Sequence, residues 1–178
     1  KANPGPSLAY GLLFAIGAVC ALAYWPVAGG APSALRSALK AGSTAALALA
    51  ALASGATPWL TAGLALGALG DFALSRRGEG WFRAGLGAFL LGHLAYVALF
   101  VTWPLPASPA APAILLAALL LAFCAVMARR LWTAAGPLRG PVMAYVAVIA
   151  AMGLTSLVLP LPHPGQLAAL LFIASDTA

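Results

Sequence analysis

The chemistry this chain can do rests on very few side chains. Only three of its 178 residues are acidic, and two of those, Asp71 and Asp176, follow directly on apolar runs, TAGLALGALG and QLAALLFIAS. A carboxyl group inside an apolar segment is costly, which makes it a functional candidate by default. The competing reading is a structural ion pair or a polar helix contact. The third acid, Glu79, lies among Arg76, Arg77 and Arg83, where solvent balances its charge. Three other polar groups interrupt apolar stretches: Lys40, His93 and Tyr145. Paired carboxyls can divide acid–base work, one holding a proton and the other a negative charge. Two neighbouring carboxyls in an apolar setting push their proton affinities apart, which is what such a division needs.

The elements that must position these groups follow from composition. Hydrophobic residues make up 63% of the chain and charged residues 7%, with a mean hydropathy of +1.02. Soluble domains carry about 25% charged residues. A chain this poor in charge suits lipid better than water. The formal net charge is +6, but the basic residues sit in short gaps between apolar runs and form no stripe. A nucleic-acid surface needs such a stripe, so nucleic acid is excluded as a partner. Cys20 and Cys124 lie inside apolar runs as small hydrophobes, and no Cys/His spacing suggests a metal or cofactor.

All fourteen prolines fall in the gaps between apolar runs or at their edges. Proline is tolerated at helix starts and breaks helix interiors. The spacing predicts helices near 7–25, 35–54, 58–75, 81–102, 111–131, 138–159 and from 165 onward, most of them about the 20 residues a bilayer crossing takes. The expected fold is all-α: a polytopic transmembrane bundle of about seven helices, forming a single domain over 1–178. Lys and Arg cluster in alternate gaps, with Arg36 and Lys40, then Arg76, Arg77 and Arg83, then Arg129, Arg130 and Arg139. The positive-inside rule makes those gaps cytoplasmic and the N-terminus external. Five tryptophans near span ends fit an aromatic belt. Small residues at GxxxG-like spacing, Gly63/Gly67 and Ala88/Gly92, predict close helix contacts.

Depth follows from a rise of about 1.5 Å per residue. Asp71 lies roughly 20 Å, and Asp176 roughly 17 Å, from the outer side. His93 comes near mid-membrane, with Tyr145 and Lys40 nearer the cytoplasmic side. Five helices thus place a polar group in the inner half of a hydrocarbon layer about 30 Å thick. That pattern predicts a polar cavity open toward the cytoplasm. On the fourth segment Phe89, His93, Tyr96 and Phe100 share a face, which is either an aromatic packing stripe or a wall of that cavity. His163, in the external loop PLPHPG, reads as a loop residue.

Four segments carry a family resemblance: LGALGDFALS, FRAGLGAFLLGHLAY, LRGPVMAY and LLFIASD, in that order. Together, over roughly residues 36 to 178, they resemble the YhhN-like lysoplasmalogenases. The resemblance implies a membrane hydrolase that cleaves the vinyl-ether bond of lysoplasmalogens to a fatty aldehyde and a glycerophospho-alcohol. It carries Asp71 and Asp176 over as the catalytic acids. Lys40, His93, Tyr96, Tyr145 and Ser175 are then the expected substrate-binding residues, with a lysophospholipid as substrate and membrane lipid as surroundings. No metal or cofactor is implied, and oligomeric state is not addressed. The expected location is the bacterial inner membrane. Two features depart from the family. Lys40 is followed by Ala41 where members often have Lys-Pro, and the chain stops at SDTA where members continue into an eighth helix. About 14 residues are too few for a seventh span, which predicts continuation beyond Ala178. The alternatives are a proton-coupled or small-molecule transporter, which would use the same acids with access from both sides, and a receptor or scaffold. The sequence shows neither an internal repeat nor a broken helix of the kind transporters use.

Overall fold

A computed structural model describes residues 8–31, 33–102, 104, 111–157, 159 and 169. Among these residues the chain is all helical. Six α-helices follow one another: α1 Leu8–Tyr24, α2 Ala34–Ala53, α3 Pro58–Leu74, α4 Glu79–Phe100, α5 Ala111–Ala134 and α6 Arg139–Ser156. Single 3-10 turns, Trp25–Val27 and Gly136–Leu138, follow α1 and precede α6. The expected seventh helix, with Asp176, Ser175 and His163, lies outside the described residues.

The boundaries have local causes. Ser33 caps α2 by accepting a hydrogen bond from the Arg36 N–H at 3.2 Å, and Thr57 caps α3 through the Leu60 N–H at 3.4 Å. Pro58 starts α3, where a missing N–H costs nothing. Gly55, Gly78 and Gly136 have positive φ of 68°, 116° and 49°, and each lies in a break between helices. Helix α4 begins at Glu79, two residues before the expected start, so the acid is helical rather than in a loop. An exposed ion pair to Arg83 one turn on, at 2.6 Å, favours that start, as does a negative charge at a helix N-terminus.

Among the described residues, four segments are long and apolar enough to cross a membrane: Leu8–Val27, Glu79–Phe100, Ala111–Ala134 and Gly136–Ser156. The expectation of seven spans is therefore met only in part. Helix α3 has 17 residues, about 25 Å of rise against about 30 Å of hydrocarbon. Helix α2 has the length, but Arg36, Ser37, Lys40, Ser43 and Thr44 give its first half too polar a surface.

The chain forms two compact units, Lys1–Ala95 and Tyr96–Ala178, with the boundary inside α4. In the first unit, close approach rests on glycine. A Cβ on Gly17 of α1 would stand 3.1 Å from the Ser43 carbonyl of α2. A Cβ on Gly92 of α4 would stand 3.3 Å from the Gly63 carbonyl of α3, so the two small-residue motifs face each other. The ring of Phe89 packs over Gly70, where a Cβ would come within 2.6 Å. In the second unit Phe100, Leu120, Cys124, Ile149 and Met152 form the core of α5, α6 and the end of α4, with Tyr96 and Tyr145 packed against it.

Candidate functional site

The first unit brings Lys40 and Asp71 together. Gly67 lies one turn before Asp71 on α3, where a Cβ would meet the Thr44 methyl of α2 at 3.5 Å, an ordinary packing distance. That approach sets the Thr44 hydroxyl 3.4 Å from Asp71 Oδ2, to which it donates. One turn earlier on α2, Lys40 Nζ reaches Asp71 Oδ1 at 3.1 Å. The carboxylate is thus held from both oxygens by one helix face. Its side chain is 9% exposed, whereas that of Lys40 is 49% exposed, so the pair lies at the inner wall of an opening.

That opening is a cleft of about 190 Å³. Arg36 and Lys40 line it from α2, with Arg76 and Arg77 just beyond α3. Four basic side chains therefore surround one acidic one. Hydroxyls from Tyr24, Ser33, Ser37 and Ser75 complete the polar wall. Several of these groups are already oriented. Arg36 donates to the Gly30 carbonyl, and the Arg76 guanidinium lies over the Phe72 ring, 4.4 Å from its centroid. The Ser37 and Ser75 hydroxyls donate to the Ser33 and Phe72 carbonyls, so the basic side chains are what suit this recess to a phosphate or another compact anion.

The other residues expected at the site have these surroundings. His93 is 2% exposed in α4, where Nδ1 faces the Phe89 carbonyl at 2.5 Å and the ring packs 6.4 Å from that of Phe89. It is not among the residues lining the cleft. Tyr96 and Tyr145 belong to the second unit and pack on its core. Asp176 and Ser175 lie outside the described residues.

Thr44 and the serines were not singled out from sequence, although a signal existed. Ser33, Ser37, Lys40 and Thr44 recur at i, i+4, i+7 and i+11, a polar stripe on one face of α2. That stripe faces Asp71.

A model of the YhhN family matches residues 35–178. The chain belongs to the YhhN family. The match begins at the second residue of α2, so Lys40, Thr44 and Asp71 all lie within the YhhN region. Comparison with curated proteins and with solved structures gave no match. What this YhhN member acts on is therefore a question for its own residues.

Proposed function

We propose that this YhhN-family protein is an integral membrane hydrolase that cleaves the vinyl-ether bond of lysoplasmalogen-type lysolipids. In this reading all its helices belong to one membrane domain in the bacterial inner membrane, with the N-terminus outside. The observation that carries the reading is the buried Asp71 carboxylate, ion-paired to Lys40 in a cleft of four basic side chains. A lysophospholipid presents a phosphate a few bonds from its ether oxygen. The cleft offers cations for that phosphate beside a carboxylate for the reaction.

The chemistry divides between two acids. A protonated carboxyl, assigned to Asp176, delivers its proton to the β-carbon of the vinyl ether. The α-carbon and ether oxygen then share the positive charge of an oxocarbenium ion. Asp71, ion-paired to Lys40 at rest, supplies negative charge next to that cation, as a second carboxylate does in glycoside hydrolysis. Water adds to the cation and loses a proton to a carboxylate. The resulting hemiacetal collapses to aldehyde and glycerophospho-alcohol. Lys40 has a second task. It compensates Asp71 while the site is empty, and an arriving phosphate draws its ammonium away, leaving the carboxylate charge for the reaction. Ser175, adjacent to Asp176, and the buried His93 are assigned to positioning the substrate, as are Tyr96 and Tyr145.

The test is a panel of lyso-ether lipids incubated with the purified full-length protein. Aldehyde release from vinyl ethers, and none from saturated alkyl ethers, is the expected result. Movement of lipid across the membrane without turnover would instead indicate transport.

A further inference from the structure

An apolar groove of about 620 Å³ runs beside the cleft, between α2 and α3. Gly42, Ala45 and Leu49 line it on α2, with Ala65, Leu69 and Phe72 on α3. Leu49, Leu69 and Phe72 are 53%, 59% and 41% exposed. Two residues, Ser37 and Arg76, line both the groove and the basic cleft, so the two spaces share a seam. From Ser37 to Leu49 the groove follows α2 for about 18 Å. One leaflet of hydrocarbon, half of a core about 30 Å thick, is about 15 Å deep.

We infer that this groove holds the single hydrocarbon tail of a phosphate-bearing lysolipid whose head lies in the basic cleft. The inference rests on the lysolipid reading above and adds where the tail goes. Charge selects this occupant. The groove is apolar along its length and meets four basic side chains at one end only, which is the pattern of an anionic single-chain amphiphile. A second copy of the chain or another helix would bring an apolar face to the groove and leave the basic end unanswered. Lipid around the protein is as apolar as the groove, so the tail gains little by entering it. Affinity comes from the head, and the groove sets the direction of the tail. With phosphate in the cleft and tail in the groove, the ether bond between them comes to the seam at Ser37. That seam is one helical turn from Lys40, about 5 Å along α2.

The test uses the full-length protein in lipid nanodiscs. The probe is a lysophosphatidylethanolamine with a saturated hexadecyl ether chain, which cannot undergo vinyl-ether hydrolysis, and a diazirine near the chain end. After irradiation, labelled peptides are mapped by mass spectrometry. Label should concentrate on residues 41–49 and 65–72. A Cβ at Gly42 would meet no atom within 4 Å, so Gly42→Ala leaves the packing as it is, and Gly42→Phe adds a ring on the groove wall. That variant should lose the groove label, Gly42→Ala should keep it, and Arg76→Gln should weaken it by loosening the head. Label spread evenly over α5 and α6, or undiminished in Gly42→Phe, would overturn the inference. So would a disulfide-linked dimer formed efficiently by Gly42→Cys, because the groove would then be an interface between copies. The hydrolase reading is judged separately by aldehyde release. Groove labelling without turnover leaves the tail site standing and removes the reaction, and turnover without groove labelling does the reverse.

Discussion

Removing the ammonium from the Lys40–Asp71 pair should destabilise the protein, and removing both charges should cost much less than the single changes imply. The pair is 3.1 Å apart. Two unit charges at that distance attract by about 1 kcal/mol in water and about 5 kcal/mol at an effective dielectric of 20. Asp71 is almost fully enclosed but half of Lys40 faces the opening, so screening brings the value toward the lower end, about 2 kcal/mol. Lys40→Met leaves a carboxylate at 9% exposure facing a methyl group, and should cost about 2–3 kcal/mol. Asp71→Asn keeps an acceptor for the Thr44 hydroxyl and leaves Lys40 able to turn to water, so its cost should stay below about 1 kcal/mol. Once Asn is present, the lysine has little left to neutralise. The double variant should therefore resemble Asp71→Asn, with a coupling energy of about 2 kcal/mol. The assay is reversible unfolding in mixed micelles for the four members of the cycle. Single changes that add to within about 0.5 kcal/mol would show that the contact carries no energy and would refute the argument.

Three further outcomes follow. Gly70→Ala should lower stability by about 1–3 kcal/mol, because its Cβ would enter the Phe89 ring at 2.6 Å. Gly87→Ala, with open space around it, should be neutral or gain up to about 1 kcal/mol of helix propensity, and equal effects in the same unfolding assay would count against the α3–α4 contact. Single cysteines at 78 and 136 should resist an impermeant thiol reagent in intact cells while cysteines at 107 and 162 react. Uniform or reversed labelling would overturn the orientation read from basic residues. Arg77→Gln should raise KM for a lysolipid roughly tenfold with little change in kcat, since it removes one charge from the basic cleft and leaves Asp71 untouched. A fall in kcat at constant KM would place Arg77 elsewhere in the reaction.

The helices were legible in the sequence because proline and glycine end them and because apolar runs have few alternatives. Each of the six described helices begins and ends within about three residues of its expectation. Glu79 departed from its expected loop through a pairing, Arg83 at i+4, that a hydropathy reading does not weigh. Crossing number was harder. The polar stripe that makes α2 useful also lowers its hydropathy, so the helix carrying Lys40 and Thr44 is absent from the four segments that qualify as spans. At the site, axial rise placed Lys40 and Asp71 at similar heights but carried no information about rotation. The contact follows from the way α2 packs on α3, which brings Thr44 and Lys40 to the face of α3 that bears Asp71. In the sequence Arg76 and Arg77 are loop charges that set orientation, and only the fold shows that they line the same cleft. The position of Asp176 depends on helix packing after residue 157, which lies mostly outside the described residues.

The most direct measurement of the central claim is aldehyde formation from a vinyl-ether lysolipid by wild-type protein and by Asp71→Asn, with matched size-exclusion profiles. Wild type should turn over, and Glu79→Gln, altered in an exposed pair that does not line the cleft, should match it. Asp71→Asn should fold normally and lose at least about 10²-fold in rate, the scale of a lost charge or proton transfer in the transition state. A well-folded Asp71→Asn protein that releases aldehyde at the wild-type rate would contradict the account.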